Sequence, residues 1–225
     1  MRQIVITAFI SLDGVMQAPG GPEEDPADGF EAGGWTAPYW DGAGAVEMGA
    51  FLDETFSQPF DLLLGRRTYE IFAAHWPHVG ADDPMGALFD RVTKHVAAGP
   101  DTPLDWANSV PLGPDVVAAV RRLKAGTGPD LLIQGSSVLV QALLANDLID
   151  TFRLLVFPLV LGRGKRLFGE GTVPAALRLT AGRTAANGVV MGVYERAGAV
   201  TTGSFALEPP PEAERARHAR LGMES

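Results

Sequence analysis

The chain has 225 residues, a formal net charge of −9 at pH 7, and no cysteine. That length suffices for one large domain with a real core. The acidity, with no basic stripe to offset it, excludes a general nucleic-acid binder and a protein of anionic membrane surfaces. The missing cysteine excludes disulfides, thiolate metal sites and a cysteine nucleophile. The apolar run before Asp13 is too short for a signal peptide, and no stretch approaches the roughly 18 apolar residues of a membrane span, so a cytoplasmic protein is expected.

Residues 3–10 are β-branched and apolar on both faces, the pattern of a strand buried inside a sheet. Ser11-Leu12-Asp13-Gly14 ends it. Residues 15–43 hold Pro19, Gly20, Gly21, Pro22, several acids, and then Trp35, Tyr39 and Trp40. A connection of that length is commonly a lid or binding loop; its aromatics either close over a flat ligand or pin the loop to the body. Residues 44–56 read as an amphipathic helix with Val46, Ala50, Phe51, Thr55 and Phe56 at inward spacing and Glu47 beside that face.

In residues 61–72 a buried strand, Leu62-Leu63-Leu64, stops at Gly65. Arg66 and Arg67 follow, and Thr68 opens a helix. A helix N-terminus with free N–H groups, a favourable dipole and arginine at the junction is well suited to an anion. An ordinary βα turn with two solvated arginines has the same sequence, and both readings stand here. A short helix at 84–91, a short strand at 94–98 and a helix at 116–123 come next. Residues 130–150 repeat the earlier pattern: the strand Leu131-Leu132-Ile133, then Gly135-Ser136-Ser137, then a helix at 138–145. Two such junctions in one open sheet form a plausible pyrophosphate crevice. A strand at 151–157 is broken by Pro158. Arg163, Lys165 and Arg166 sit in a glycine loop, and Asn187-Gly188 marks a tight hairpin between 176–185 and 189–196. One unit over 1–197 and a flexible tail over 198–225, with at most a short charged helix, are expected.

The four histidines (His75, His78, His95, His218) show no metal-ligand spacing. Gly135-Ser136-Ser137 lacks the second glycine of a nucleophile elbow, and neither dinucleotide nor mononucleotide glycine signatures are present. What remains is an anion-friendly crevice with few acid–base groups. That suits hydride transfer, in which a nicotinamide carries the chemistry and the protein supplies orientation and electrostatics.

The order IVITAFISLDG (4–14), LLLGRRTYE (62–70), LLIQGSSVLVQALL (131–144) and LIDTFRLLVFPLVLGRGKRLF (148–168) before a closing hairpin resembles the dihydrofolate reductase-like superfamily. It is most similar to the branch containing the reductase domain of the riboflavin-pathway bifunctional deaminase–reductase. The resemblance covers about residues 2–197. It implies an α/β fold of three layers, α/β/α, with a mostly parallel mixed sheet and an antiparallel C-terminal hairpin. It also implies NADPH as cofactor, a small heterocyclic or carbonyl substrate such as 5-amino-6-(5-phosphoribosylamino)uracil, and a homodimer. Gly65, Arg66, Arg67 and Thr68 would hold cofactor phosphates, Arg66 the 2′-phosphate and Thr68 the pyrophosphate. Gly135, Ser136, Ser137, Val138 and Leu139 would line the pyrophosphate and nicotinamide side, with Ala8 near the ring. Ser11, Asp13, Gly14 and Arg163 would border the substrate, and Glu47 and Asp13 are the candidate acid–base groups. Two departures stand out. The segment after Lys94 carries no Ser or Arg for a 2′-phosphate, and the sequence around Glu47 is not that of folate reductases. True folate reduction, and a non-catalytic nucleotide-binding protein on the same fold, are the alternatives.

Overall fold

A computed structural model describes residues 1–80, 82–170 and 172–222. Its strands are β1 (Ile4–Ser11), β2 (Phe60–Gly65), β3 (Lys94–Ala97), β4 (Ser109–Pro111), β5 (Asp130–Gln134), β6 (Thr151–Phe157), β7 (Leu177–Thr184) and β8 (Val190–Arg196). The helices are α1 (Gly42–Phe56), α2 (Arg66–His75), α3 (Pro84–Arg91), α4 (Val116–Ala125), α5 (Ser137–Ala145) and α6 (Glu212–Leu221). All eight strands form one sheet in the order β4-β3-β2-β5-β1-β6-β8-β7. Pairs from β4 to β6 are parallel, and β8 runs antiparallel to both β6 and β7. This is the mostly parallel mixed sheet with an antiparallel C-terminal pair expected of a dihydrofolate reductase-like fold.

Side chains alternate across the sheet and divide the core into layers. Ile4, Ile6, Ala8 and Ile10 of β1 pack with Leu63, Ile133 and the inward faces of α4 and α5, represented by Val120, Leu139 and Leu143. On the other face, Leu155 and Phe157 of β6 meet Met48 and Phe51 of α1. Leu62 and Leu64 meet Tyr69 of α2 and Phe89 of α3. Full burial of each such Leu contributes about 1.5–3 kcal/mol before entropy.

Several expectations shift. Helix α1 buries Phe51 and Thr55 as expected, but Gly44 and Met48 rather than Val46, which is 73% exposed, complete its inward stripe. Helix α2 begins at Arg66 rather than Thr68, with Gly65 extended as its N-cap. Strand β4 was not anticipated: it has three residues and ends in a proline at the sheet edge, the position where a missing N–H costs nothing. The long loop contains two single 3-10 turns, at Ala27–Gly29 and Ala37–Tyr39. Among the described residues beyond Arg196, α6 is the one helix, and it buries no residue; residues 223–225 of the expected tail lie outside the described residues.

Candidate functional site

Strands β2 and β5 are parallel neighbours, yet the helices that follow them leave on opposite faces. Tyr69 of α2 packs on the β3 side with Phe89, whereas Leu139 and Leu143 of α5 pack with Val120 of α4. Adjacent strands whose helices diverge leave a crevice at their carboxyl ends, the place where open α/β sheets take ligands. Both helices present their N-termini there. Helices α3 and α4 are capped by Asp83 and Asp115, which accept from first-turn N–H groups. Helices α2 and α5 receive no side-chain cap and carry no acid in the first turn. Their donors remain available to an anion.

The two junctions interlock. Gly65 N donates to Ser136 Oγ at 2.8 Å, and Ser136 Oγ donates to Thr68 Oγ1 at 2.7 Å. Ser136 stands in the left-handed region (φ 64°), as does Gly135 (φ 74°). For a residue with a Cβ that conformation costs on the order of 1–2 kcal/mol. Gly65 is needed for closeness: a Cβ there would lie 3.0 Å from both Cβ and Oγ of Ser136.

The other expected cofactor residues divide by burial. Arg66 is 65% exposed and makes only a 3.5 Å pair with Glu70. Arg67 turns to the long loop, where Asp25 accepts from it at 3.1 Å and from Lys165 at 2.5 Å. Ser137 opens α5 and Val138 beside it is 81% exposed, but Leu139 and Ala8 are core residues under the crevice. These two give it shape and have no polar group to offer.

On the expected substrate side, the polar groups are engaged with one another. Ser11 is 1% exposed; its hydroxyl donates to Asp13 Oδ1 at 2.6 Å and accepts from Val15 N. Asp13 also accepts from Leu161 N at 3.1 Å, Gly162 N at 2.8 Å and the Arg166 guanidinium at 3.4 Å. The Ser11 hydroxyl, foremost, and the loop amides hold the Asp13 carboxyl down at about 2. An ionised carboxylate with four donors acts as a brace between this turn and the 161–166 loop. Gly14 (φ 80°) completes the turn and its carbonyl accepts from Leu167 N. Arg163 donates to the Gly29 carbonyl in the long loop. Glu47 is exposed and accepts from Ala186 N at 2.6 Å, so its carboxylate caps the β7–β8 turn.

The long loop is pinned rather than open. Trp35 is buried, donates to Gln17 O at 2.8 Å and meets Phe157 edge-on, as does Tyr39; Trp40 is 37% exposed against Phe9. Gln17, which sequence reading passed over, donates to Asp25 O and Ala27 O and accepts from Lys165 N. A cavity of about 280 Å³ lies between this loop and the glycine loop, lined by Gln17, Phe30, Arg163 and Lys165 among others. Glu24, raised by burial, accepts from Gly20 N and Gly21 N within the same loop. Charges of both signs meet at this edge: Arg66, Arg67, Arg163, Lys165 and Arg166 lie among Asp13, Glu24, Asp25, Asp28 and Glu70. Among the described residues no group of three His, Cys, Asp or Glu could hold a metal.

Comparison with known proteins adds the relatives. Residues 2–191 match the family model described as RibD C-terminal domain. The uncharacterized protein YwjB of Bacillus subtilis (strain 168) is 31% identical over 179 residues, which cover 79% of this chain and 89% of that one. A protein from Shewanella sp. PV-4, provisionally assigned to riboflavin biosynthesis, superposes with a TM-score of 0.59 at 19% identity, over 87% of this chain and 99% of that chain. A pyrimidine reductase-like protein from Corynebacterium diphtheriae superposes with a TM-score of 0.55 at 13% identity, over 87% of this chain and 92% of that chain.

Proposed function

This chain belongs to the RibD C-terminal domain family, and on that premise we propose that it is an NADPH-dependent reductase of a small heterocycle of the pyrimidine or pterin kind. The observation that carries the reading is the crevice. Two uncapped helix N-termini diverge from adjacent strands, joined by a serine hydroxyl, with the exposed Arg66 beside them. That donor set fits a dinucleotide: backbone N–H groups and Thr68 for the pyrophosphate, and Arg66 for the 2′-phosphate. When bound, a nicotinamide would supply hydride from its C4 carbon.

The chain's own residues have other tasks. Ala8 and Leu139 form the apolar floor beside β1. The Ser11–Gly14 turn, braced by Asp13 against the 161–166 loop, fixes the wall next to it. Trp35 and Tyr39 hold the long loop down on Phe157, limiting water at the edge. With Glu47 and Asp13 both engaged as acceptors, the proton that completes reduction comes from solvent rather than from a carboxylic acid on α1. This sets the reading apart from folate reduction, which the sequence left open. Residues 1–197 are read as the reductase unit and 198–225 as an appendage to it, with the unit working as a cytoplasmic homodimer.

Titration of NADPH followed by its fluorescence, together with thermal unfolding, tests the reading. Saturable binding with a raised melting temperature, then NADPH oxidation with a pyrimidine or pterin from a substrate screen, is the expected result. Absence of any NADPH effect on either signal refutes it. Binding without turnover across such a screen supports a non-catalytic ligand-binding protein instead.

A further inference from the structure

We propose that Ser136 is a positioning residue of the crevice and not itself a ligand of the cofactor. Its hydroxyl ties the β2–α2 and β5–α5 junctions together and leaves the Thr68 hydroxyl proton free to meet a phosphate oxygen. The inference rests on the reading of the crevice as a dinucleotide site.

Three observations converge on it. The first is polarity. A backbone amide can only donate, so Ser136 Oγ accepts from Gly65 N at 2.8 Å; its own proton goes to Thr68 Oγ1 at 2.7 Å. The Thr68 proton is then the one left over, and the relay ends in a donor on the third residue of α2. A phosphate oxygen needs that polarity.

The second is backbone conformation. At φ 64° position 136 suits glycine better than serine, so the residue is held there by what its hydroxyl does. The third is space. A Cβ at Gly65 would press on Ser136 at 3.0 Å, while the Cβ of a residue at 135 would sit 3.5 Å from the Thr68 methyl. Positions 65 and 68 therefore form one close-packed unit with positions 135 and 136, some 70 residues away, and the serine hydroxyl ties the two junctions together. Loss of that tie leaves the two helix N-termini coupled only through the paired strands and apolar packing, loosening their relative position.

The test uses the full chain in five forms: wild type, Ser136→Ala, Ser136→Gly, Thr68→Val, and the double variant Ser136→Ala/Thr68→Val. NADPH and 2′-AMP are titrated into each, and urea unfolding is measured alongside. Ser136→Ala and Thr68→Val should each weaken NADPH by about tenfold, and the double variant should be no weaker than the worse single one. Ser136→Gly, with its backbone relaxed, should unfold no more easily than Ser136→Ala yet bind NADPH as weakly. 2′-AMP, which lacks the pyrophosphate, should bind all five forms alike. Losses that multiply in the double variant overturn the proposal, since Ser136 would then touch the ligand independently. Lower stability with unchanged NADPH affinity overturns it too, by reducing Ser136 to a structural role. If wild type binds no NADPH, the cofactor reading fails separately. The unfolding data then decide the tie: non-additive effects of the two substitutions uphold it, and additive effects refute it.

Discussion

Replacing Asp13 with asparagine preserves shape while removing charge, and the consequences can be worked out atom by atom. Asp13 Oδ1 accepts from Ser11 Oγ and Leu161 N; Oδ2 accepts from Gly162 N and Arg166. An amide has one acceptor oxygen, so either orientation turns an NH₂ group toward a backbone N–H and leaves that donor without a partner. The Ser11 hydroxyl, foremost, and the loop amides lower the carboxyl from 3.8 to about 2. By linkage that fall corresponds to roughly 2 kcal/mol in favour of the folded state. The side chain is 20% exposed and solvent screens part of this, so the net expectation is about 1–2 kcal/mol. Because the folded value is depressed, the contribution is fully present above the unfolded value near 4. It is lost as pH falls through about 2. Urea unfolding of wild type and Asp13→Asn, repeated at pH values from near neutral down to about 2.5, measures this. The penalty should be largest near neutrality and shrink with acid. A penalty independent of pH, or none, would refute the account of Asp13 as an ionised brace.

Two other perturbations follow from groups that the structure places under load. Lys94 is fully buried and its ammonium donates to Asp90 O, Val92 O and Ala107 O at 2.7–3.1 Å, 4.2 Å from the Trp106 ring centroid. Burial lowers it to about 8, so it is still a cation at neutral pH. Lys94→Met takes a donor from all three carbonyls, Asp90 O keeping a bond from Asn108 Nδ2, and should cost about 3 kcal/mol or more in urea unfolding; a change under about 1 kcal/mol would contradict the structural role. Asp25→Ala removes the acceptor shared by Arg67 and Lys165. Limited proteolysis of the 17–36 loop should accelerate about thirtyfold if the two pairs contribute roughly 2 kcal/mol to closure. Unchanged cleavage would mean that Gln17 and Trp35 hold the loop without it.

The parts of this molecule legible in its sequence were those written locally. Leu62-Leu63-Leu64 before Gly65, and Leu131-Leu132-Ile133 before Gly135, announce buried strands entering helices because apolar runs and glycine act over a few residues. Asn187-Gly188 likewise announces its hairpin, which the structure places between β7 and β8. Strand β4 left no trace, since three edge residues with a terminal proline have no periodicity to read. The inward stripe of α1 was misjudged in part because Val46 looked apolar enough to be buried, whereas Met48 takes the core position. The polar wiring was wholly out of reach. Asp13 with Leu161 and Gly162, Asp25 with Arg67 and Lys165, and Ser136 with Gly65 and Thr68 all join segments far apart in the chain. Nothing in spacing could show that Asp13 and Glu47, read as acid–base candidates, would be occupied as acceptors.

The central claim is that the β2–α2 junction anchors the 2′-phosphate of NADPH through Arg66. Measuring the affinities of wild type, Arg66→Ala and Arg67→Ala for NADPH and for NADH tests it most directly. The account predicts that Arg66→Ala weakens NADPH by about ten- to a hundredfold, as expected for one charged phosphate contact of roughly 1.5–3 kcal/mol, while NADH binding barely changes. Arg67→Ala, whose side chain already serves Asp25, should have the smaller effect on NADPH. An Arg66→Ala variant that binds NADPH as tightly as wild type would contradict the claim.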